Sequence, residues 1–259
     1  MTMGARGSKR LLCNFLLQIF FHLQCIGSAV DIYDKAFIKE CLDVHNFYRS
    51  RVNPSASNML YMSWDRILSE VAHEWSKKCI FDHNTDLKVP QKLHPVFKTL
   101  GENIYVTTGS NLNVTSATKS WYNEVADYNY GSNQCSRICG HYTQLVWATS
   151  YKVGCAVHTC PSGIFHFNSR LSTIFVCDYG PPGNYPQQPY LTGKECSKCY
   201  MDRCENKLCR NKTREMTDSD SLCNEFCITV LLLRPLSLVA IFVGVYILQQ
   251  SYPNMFAYL

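Results

Sequence analysis

Histidine and acidic residues at short spacing are the first candidates for chemistry in this sequence. His73-Glu74 opens the His-Glu-x-x-His pattern, in which two histidines one helical turn apart bind zinc and the glutamate acts as a general base. Lys77 occupies the position of the second histidine, so the second ligand is absent. The Gly-x-Ser-x-Gly turn that presents a nucleophilic serine is absent as well. The spacing therefore favours neither a zincin nor a serine hydrolase.

Cysteine is the second reactive residue type, with 15 cysteines in 259 residues. Close cysteine pairs are typical of disulfide-bonded proteins from oxidising compartments and of metal proteins. The segment 196–209 carries four cysteines but too few apolar residues for a core, so it needs cross-links. A zinc knuckle is the alternative for this segment, because Cys-x-x-Cys is also a zinc pattern. A cysteine nucleophile would need a free, activated thiol.

The amino terminus favours the oxidising compartment. A basic segment, a mostly apolar stretch over residues 11–26 and the small residues Gly27-Ser28-Ala29 follow one another. This order predicts a secretory signal peptide over residues 1–29, with an uncleaved signal anchor as the alternative. Cleavage would remove Cys13 and Cys25 and leave 15 − 2 = 13 cysteines. At least one cysteine would then be unpaired or bonded outside the chain.

Composition limits the remaining classes of function. A hydrophobic content of 46% with 13% aromatics excludes a disordered chain. The net charge of +5 is mild and no long Lys/Arg block occurs, so we expect no nucleic-acid partner. Two Asn-x-Ser/Thr sequences begin at Asn113 and Asn211, and we expect glycosylation at both in a lumenal protein.

The elements that must position any site follow from periodicity and breakers. Helical spacing predicts three helices, with Asp65 as the N-cap of the second, at residues 36–51, 65–79 and 116–128. β-branched and aromatic composition predicts four strands, at residues 104–107, 143–147, 153–160 and 172–179. Because helices come first and most strands later, an α+β layered domain fits better than a parallel βαβ sheet.

Four motifs in order carry a family resemblance. They are His45-Asn46-Phe47-Tyr48-Arg49, Gly101-Glu102-Asn103-Ile104, the run from Gly140 to Trp147, and the run from Phe175 to Tyr185. Together they resemble the signature motifs of the CAP superfamily (cysteine-rich secretory proteins, antigen 5, pathogenesis-related 1). The resemblance covers about residues 36–209. One departure is Asp178, where the family usually has Asn; it is a small polar change.

The resemblance implies an α-β-α sandwich with a cleft lined by two histidines and two glutamates. Carried onto this chain, this cleft tetrad is His83, Glu102, Glu124 and His141. Neutral imidazoles and carboxylates suit zinc, and we expect His83 and His141 to contact a metal directly, with the glutamates acting partly through water. The alternatives are a hydrogen-bonded polar cluster and a catalytic group. His45 and Arg49 are expected to support the fold, with Arg49 anchoring backbone carbonyls or an acidic partner.

The resemblance also implies a disulfide framework. It pairs Cys79 with Cys160, Cys155 with Cys177, Cys196 with Cys204, and Cys199 with Cys209. The sequence does not pair the remaining cysteines, which are Cys41, Cys135, Cys139, Cys223 and Cys227.

The predicted domain order is a CAP domain, a cysteine-rich hinge, a stalk, an apolar helix and a tail. The boundaries are 30–186, 187–210, 211–227, 228–248 and 249–259. The 21 residues of 228–248 would extend about 31 Å as a helix, which matches a bilayer's hydrocarbon thickness. We therefore expect a single-pass anchor on the extracellular face of a membrane. A glycolipid-anchor signal, a secreted protein and a buried tail are the alternatives.

These features predict a non-enzymatic binding module of the secretory pathway. Its expected partners are a lipid or sterol, a divalent metal or a protein, with zinc possible and no cofactor required. The competing functions are a protease-like hydrolase that uses the cleft tetrad and a cell-surface adhesion protein.

Overall fold

A computed structural model describes residues 32–216 and 225–251, and in the second stretch the side chains of several residues are not described. The chain divides into two compact units, Met1–Glu215 and Met216–Leu259. The predicted signal peptide, Cys223 and the last eight residues of the tail lie outside the described residues, as does the Cys227 side chain.

The first unit begins with helices and short strands and then forms a mixed sheet. Its elements are α1 (Lys35–Arg49), β1 (Ser63–Trp64), α2 (Arg66–Ser76), β2 (Gly101–Thr108), α3 (Val114–Asn123), a 3-10 turn (Glu124–Asp127), β3 (Tyr128–Asn129), β4 (Gln134–Cys135), α4 (Gly140–Leu145), β5 (Lys152–Cys160), β6 (Ser172–Gly180), β7 (Arg203–Glu205), β8 (Leu208–Arg210) and α5 (Lys212–Glu215).

Side-chain caps fix where the three long helices begin. Asp34 accepts a hydrogen bond from the backbone N–H of Ala36 at the start of α1. Asp65 caps α2, as its position predicts, and Asn113 caps α3. Each cap satisfies a backbone donor that has no partner within its own helix.

A four-stranded sheet forms the middle layer, in the order β1-β5-β6-β2. Strand β6 is antiparallel to both β5 and β2, and β1 is parallel to β5. Helices α1, α3 and α4 contribute to the core on one face, which includes Trp121 and Phe175. Helix α2 contributes Trp75 to the core on the other face, which includes Val176. The first unit is therefore the α-β-α sandwich that the resemblance implies.

One glycine sets the approach of α2 to the sheet. A Cβ at Gly154 of β5 would lie 2.0 Å from the backbone nitrogen of Ser69 in α2. A side chain at this position would therefore push the helix and the sheet apart.

The strand predicted over residues 143–147 is wrong, because Gly140–Leu145 is the helix α4. The carboxylate of Glu124 accepts hydrogen bonds from the backbone N–H groups of His141 and Tyr142, which are free donors of the first helical turn. Such a cap from a distant residue outweighs the strand preference of β-branched and aromatic residues. The third predicted helix also stops earlier, at Asn123, and continues only as the 3-10 turn.

Five disulfides join the described cysteines of the first unit. Four are the pairs implied by the resemblance: Cys79–Cys160, Cys155–Cys177, Cys196–Cys204 and Cys199–Cys209. The fifth is Cys135–Cys139, which the sequence left open. Within the described part of the chain, Cys41 remains a free thiol, and it is buried in the core.

The cysteine-rich hinge packs on the sandwich. Strands β7 and β8 form a hairpin in which Cys204 lies opposite Cys209. The Cys209 backbone donates to the Met59 carbonyl at 2.8 Å and accepts from the Tyr61 N–H at 3.0 Å. Leu208 is buried in the main core. The hinge therefore shares the apolar core of the sandwich rather than forming one of its own.

The second unit contains the helix α6 (Glu225–Ser251), which includes the predicted span 228–248. Among the described residues, no helix has both the length and the apolar character needed to cross a membrane. The predicted single-pass anchor is therefore not supported.

Candidate functional site

The first half of the cleft tetrad is a pair formed by His83 and Glu102. Glu102 is the second residue of β2, and its side chain is fully buried, whereas the His83 side chain is 61% exposed. Glu102 Oε1 lies 2.8 Å from His83 Nδ1 and accepts the backbone N–H of Asn84 at 3.0 Å. Strand β2 therefore fixes the position of the Glu102 carboxylate. This carboxylate in turn orients the His83 ring, which faces solvent.

The second half is a pair formed by His141 and Glu124. Glu124 Oε1 lies 2.6 Å from His141 Nδ1. Its Oε2 accepts the backbone N–H groups of His141 and Tyr142 at 3.0 and 3.2 Å. Trp121 of α3 stacks parallel to the His141 ring at 6.3 Å between centroids. Glu124 thus caps the amino terminus of α4 and also orients the His141 side chain in the first turn of this helix.

Both pairs share one arrangement of nitrogen atoms. In each ring Nδ1 faces a carboxylate, so a neutral imidazole that donates from Nδ1 presents the lone pair of Nε2 outward. A carboxylate behind a histidine is the usual support of a histidine that binds a metal. The hydrogen bond with Glu102 also raises the pKa of His83, although desolvation acts against this shift.

The tetrad is not a compact ligand set in this structure. Among the described residues, the groups of three donor atoms within 4.8 Å of one another are His45 with Cys155 and Cys177, and His158 with Cys79 and Cys160. Those cysteines are in disulfides and offer no thiolate. A metal at the tetrad would therefore have to complete its coordination with water.

The described contacts of the tetrad supply bases but no nucleophile. The hydrogen bonds formed by the rings of His83 and His141 within the described chain go to carboxylates, and none goes to a hydroxyl or thiol. Nucleophilic catalysis needs a hydroxyl or thiol within reach of the base. The described contacts therefore do not pair either histidine with a hydroxyl or thiol nucleophile.

Asp178 lies behind the first pair and is the site residue whose significance the sequence did not reveal. It is the register partner of Glu102 on the neighbouring strand β6 and is fully buried. Both of its carboxyl oxygens and Glu102 Oε2 lack hydrogen-bond partners within the described chain. Burial, and then the charge of Glu102, raise the pKa of Asp178 well above its usual range. The sequence signal that could have indicated this residue is its position directly after Cys177, in the predicted strand that pairs with the strand of Glu102.

The His45 and Arg49 motif lies inside the fold. His45 Nδ1 is 2.7 Å from the Cys41 carbonyl and Nε2 is 2.9 Å from the Tyr179 hydroxyl. Arg49 is buried and donates to five backbone carbonyls, those of Leu60, Leu145, Trp147, Ala148 and Ser150. Burial lowers the pKa of His45 to about 4 and that of Arg49 to about 9. Of the two expected partners of Arg49, the structure selects the carbonyls.

A groove between α1 and α3 is a second candidate site, and its position was not apparent from the sequence. It has a volume of about 880 Å³. Tyr48 and Tyr122 stack in it at 4.2 Å, and the exposed Phe47 also lines it. At the rim, Glu40 accepts hydrogen bonds from the N–H and hydroxyl of Thr115. The groove combines an aromatic floor with a polar edge.

The two predicted glycosylation residues differ in their surroundings. Asn113 is exposed and its amide oxygen caps α3 through the Ser116 N–H. Asn211 is half-buried, and its amide nitrogen donates to Asp202 at 2.9 Å. A glycan on Asn211 would be attached to the nitrogen that contacts Asp202 in a half-buried position, so Asn113 is the more accessible acceptor.

The fold and the paired histidines define a CAP domain. The chain matches the cysteine-rich secretory protein (CAP) family over residues 42–179. Glioma pathogenesis-related protein 1 of Mus musculus is 49% identical over 71% of this chain and 69% of its own length. GLIPR1-like protein 1 of Homo sapiens is 43% identical over 76% of this chain and 81% of its own length. This chain therefore belongs to the CAP family of cysteine-rich secretory proteins.

A solved structure gives the same family on structural grounds. The crystal structure of NaASP2 with Zn²⁺ superimposes with a TM-score of 0.56 at 27% sequence identity. It covers 71% of this chain and 100% of that protein.

Proposed function

We propose that this protein is a non-enzymatic extracellular binding module that holds a lipid with an apolar tail and an anionic head in the α1–α3 groove. The main support for this proposal is the groove itself, which has a volume of about 880 Å³ and contains two stacked tyrosines beside lysine side chains. Five disulfides among the described cysteines support passage through an oxidising compartment.

The size and walls of the groove support a small apolar ligand. Ligand pockets are usually about 300–1,000 Å³ and lined mainly by apolar and aromatic side chains. Val44, Phe47, Tyr48 and Tyr122 supply such a lining here. An acyl chain in this groove would remove apolar surface of both partners from water, which is the main driving force for binding such a ligand.

The rim supports an anionic head. Lys39 and Lys119 line the groove together with Glu40 and Asp43, so the contact with an anionic head is local to the lysine that has no acidic partner. Lys39 is paired with Asp43, whereas Lys119 forms no ion pair with a described residue. A carboxylate or phosphate head would give Lys119 an opposite charge at the edge of an apolar surface.

The test is a titration of the full chain with cis-parinaric acid, whose fluorescence rises in apolar surroundings. Phe47→Ser combined with Lys119→Glu is expected to weaken binding at least tenfold. Val96→Ser, at an exposed apolar residue elsewhere on the domain, is the matched control and should bind like the wild type. Absence of saturable binding, or equal affinity in the groove variant, would refute the lipid function.

Zinc binding at the cleft is the second candidate, favoured by the two carboxylate–histidine pairs. Its test is calorimetric titration of the full chain with zinc, beside the His83→Ala/His141→Ala variant and a His166→Ala control. Saturable heat in the wild type and the control, but not in the double variant, would support the site. No heat in any of the three proteins would leave the tetrad as a structural cluster.

A further inference from the structure

Three exposed phenylalanines form one apolar tip on the domain. Phe81 lies in the turn after α2, and Phe165 and Phe167 lie in the loop between β5 and β6. Their exposed fractions are 39%, 64% and 40%. Phe81 and Phe167 contact each other edge to face at 6.3 Å between centroids. We call these three residues the aromatic tip.

The aromatic tip is held by backbone bonds and a cross-link. The Phe81 N–H donates to the Phe165 carbonyl at 2.9 Å, and the Phe165 N–H donates to the Cys79 carbonyl at 2.8 Å. The Cys79–Cys160 disulfide joins the two segments. Within the loop, Ile164 and Asn168 exchange backbone hydrogen bonds at 2.8 and 3.0 Å. The rings therefore face water on a preorganised backbone, which lowers the entropy cost of binding through them.

The size of this surface argues against a stable protein interface. With about 200 Å² per side chain, the three exposed fractions present roughly 300 Å² of aromatic surface. A stable interface buries about 800 Å² on each partner. A few rigid aromatic anchors beside basic residues are instead sufficient to contact the interfacial region of a bilayer.

The charges beside the aromatic tip favour an anionic surface. Lys78 and Arg170 are exposed and form no ion pair with a described residue. Lys77 is paired with Glu74. The one acidic residue of the turn, Asp82, accepts a hydrogen bond from the backbone N–H of His83. The flanking segments therefore leave two cations against one unpaired carboxylate.

We infer that the aromatic tip docks the domain onto a lipid bilayer that contains anionic headgroups. Phe81, Phe165 and Phe167 would enter the interface between headgroups and acyl chains, while Lys78 and Arg170 contact lipid phosphates. Each basic residue near an anionic membrane adds on the order of a fivefold gain in partitioning. This contact surface is separate from the α1–α3 groove and does not depend on a lipid being held there.

The test is hydrogen exchange of the full chain with vesicles of phosphatidylcholine containing 30% phosphatidylserine. Because it resolves individual segments, it reports on the aromatic tip whether or not another part of the chain also binds vesicles. Backbone amides of residues 79–83 and 161–171 are expected to exchange at least threefold more slowly with these vesicles. The Phe165→Ser/Phe167→Ser variant should lose this protection, and Val96→Ser should keep it.

Equal thermal unfolding of the two variants and the wild type establishes that the fold is intact. Arg170→Glu provides a milder change and should reduce the protection without removing the rings. Unchanged exchange at the two segments, or equal protection in the Phe165→Ser/Phe167→Ser variant, would overturn the inference. Concentration-dependent self-association that requires the phenylalanines, with no effect of vesicles, would instead assign the surface to a second copy of the chain.

Discussion

His45 and His83 are both bonded through Nδ1, yet their pKa values shift in opposite directions. Burial lowers the pKa of His45 to about 4, although the hydrogen bond with the neutral Cys41 carbonyl acts to raise it. The hydrogen bond with the Glu102 carboxylate raises the pKa of the more exposed His83. His45 and Arg49, which we call the α1 anchor, form hydrogen bonds to neutral groups inside the core. In the cleft pairs, His83 and His141 form hydrogen bonds to carboxylates and lie nearer the solvent.

The comparison separates residues that hold the fold from residues that can take a ligand. Both nitrogens of His45 are already bonded within the chain. His83 and His141 each use Nδ1 for a carboxylate and leave Nε2 for another partner. Changes in the α1 anchor should therefore cost stability, and changes in the cleft pairs should cost binding.

The largest expected effect comes from Arg49→Met. It removes the Arg49 donors from five buried carbonyls, of which those of Trp147 and Ala148 still accept a backbone N–H. The other three lose their donor within the described chain, and such orphaned groups cost about 1–3 kcal/mol each, partly offset by no longer burying a charge. We expect the free energy of unfolding to fall by about 4 kcal/mol or more in chemical denaturation with the disulfides intact. Arg51→Met, at the exposed neighbour, should change it by under about 1 kcal/mol. A loss below about 1 kcal/mol in Arg49→Met would show that the hydrogen bonds of Arg49 do not hold the fold.

The next effect is the acid sensitivity set by His45. Its folded pKa of about 4 lies below the usual histidine value of 6.5, so its contribution is fully present above pH 6.5 and is lost as pH falls towards 4. At 1.36 kcal/mol per pKa unit, this loss is about 3 kcal/mol. His45→Gln should therefore lose about 3 kcal/mol less between pH 7 and pH 4 than the wild type. An equal loss in both proteins would show that another group sets the acid sensitivity.

A smaller effect with the opposite sign is expected from Asp178→Asn. Because the pKa of Asp178 is raised by burial and by Glu102, its contribution is lost as pH rises above its unfolded value of 3.8. An amide of the same size can donate to the buried Glu102 Oε2 without a proton from solvent. We expect the free energy of unfolding at pH 7 to rise by about 1–2 kcal/mol. Asp178→Ala, which supplies no donor, should not raise it. A decrease in Asp178→Asn would show that the Asp178 side chain stabilises the fold at pH 7.

The smallest effect is expected from His83→Ala. The raised pKa means that the ion pair with Glu102 contributes fully below pH 6.5 and that the contribution is lost as pH rises through the folded pKa. Because the ring is 61% exposed, solvent screening limits the effect on stability to under about 0.5 kcal/mol. Denaturation at pH 6 and pH 8 would measure it, with the larger difference from wild type at pH 6. A decrease in the free energy of unfolding as large as that of Arg49→Met would show that His83 holds the fold, as the α1 anchor does.

The sequence predicted most elements because local signals and tertiary structure agree there. Asp65 is a cap both by its position and by its bond to Leu68. Strands β5 and β6 extend over nearly the residues that their composition indicates. The prediction for residues 143–147 was wrong because the cap of helix α4, Glu124, comes from another element. The Cys135–Cys139 bond was left open because no spacing rule chose among the three remaining cysteines of the domain, which include Cys41.

What the sequence determined by itself was the family, the fold class and the chemical types at the cleft, since ordered motifs and helix caps are local properties of the chain. What only the tertiary structure decided was which groups face solvent and which face one another. Strand register placed Asp178 opposite Glu102, and helix packing formed the groove between Tyr48 and Tyr122. Burial and long-range pairing set these outcomes, and neither is a property of residues near one another in the chain.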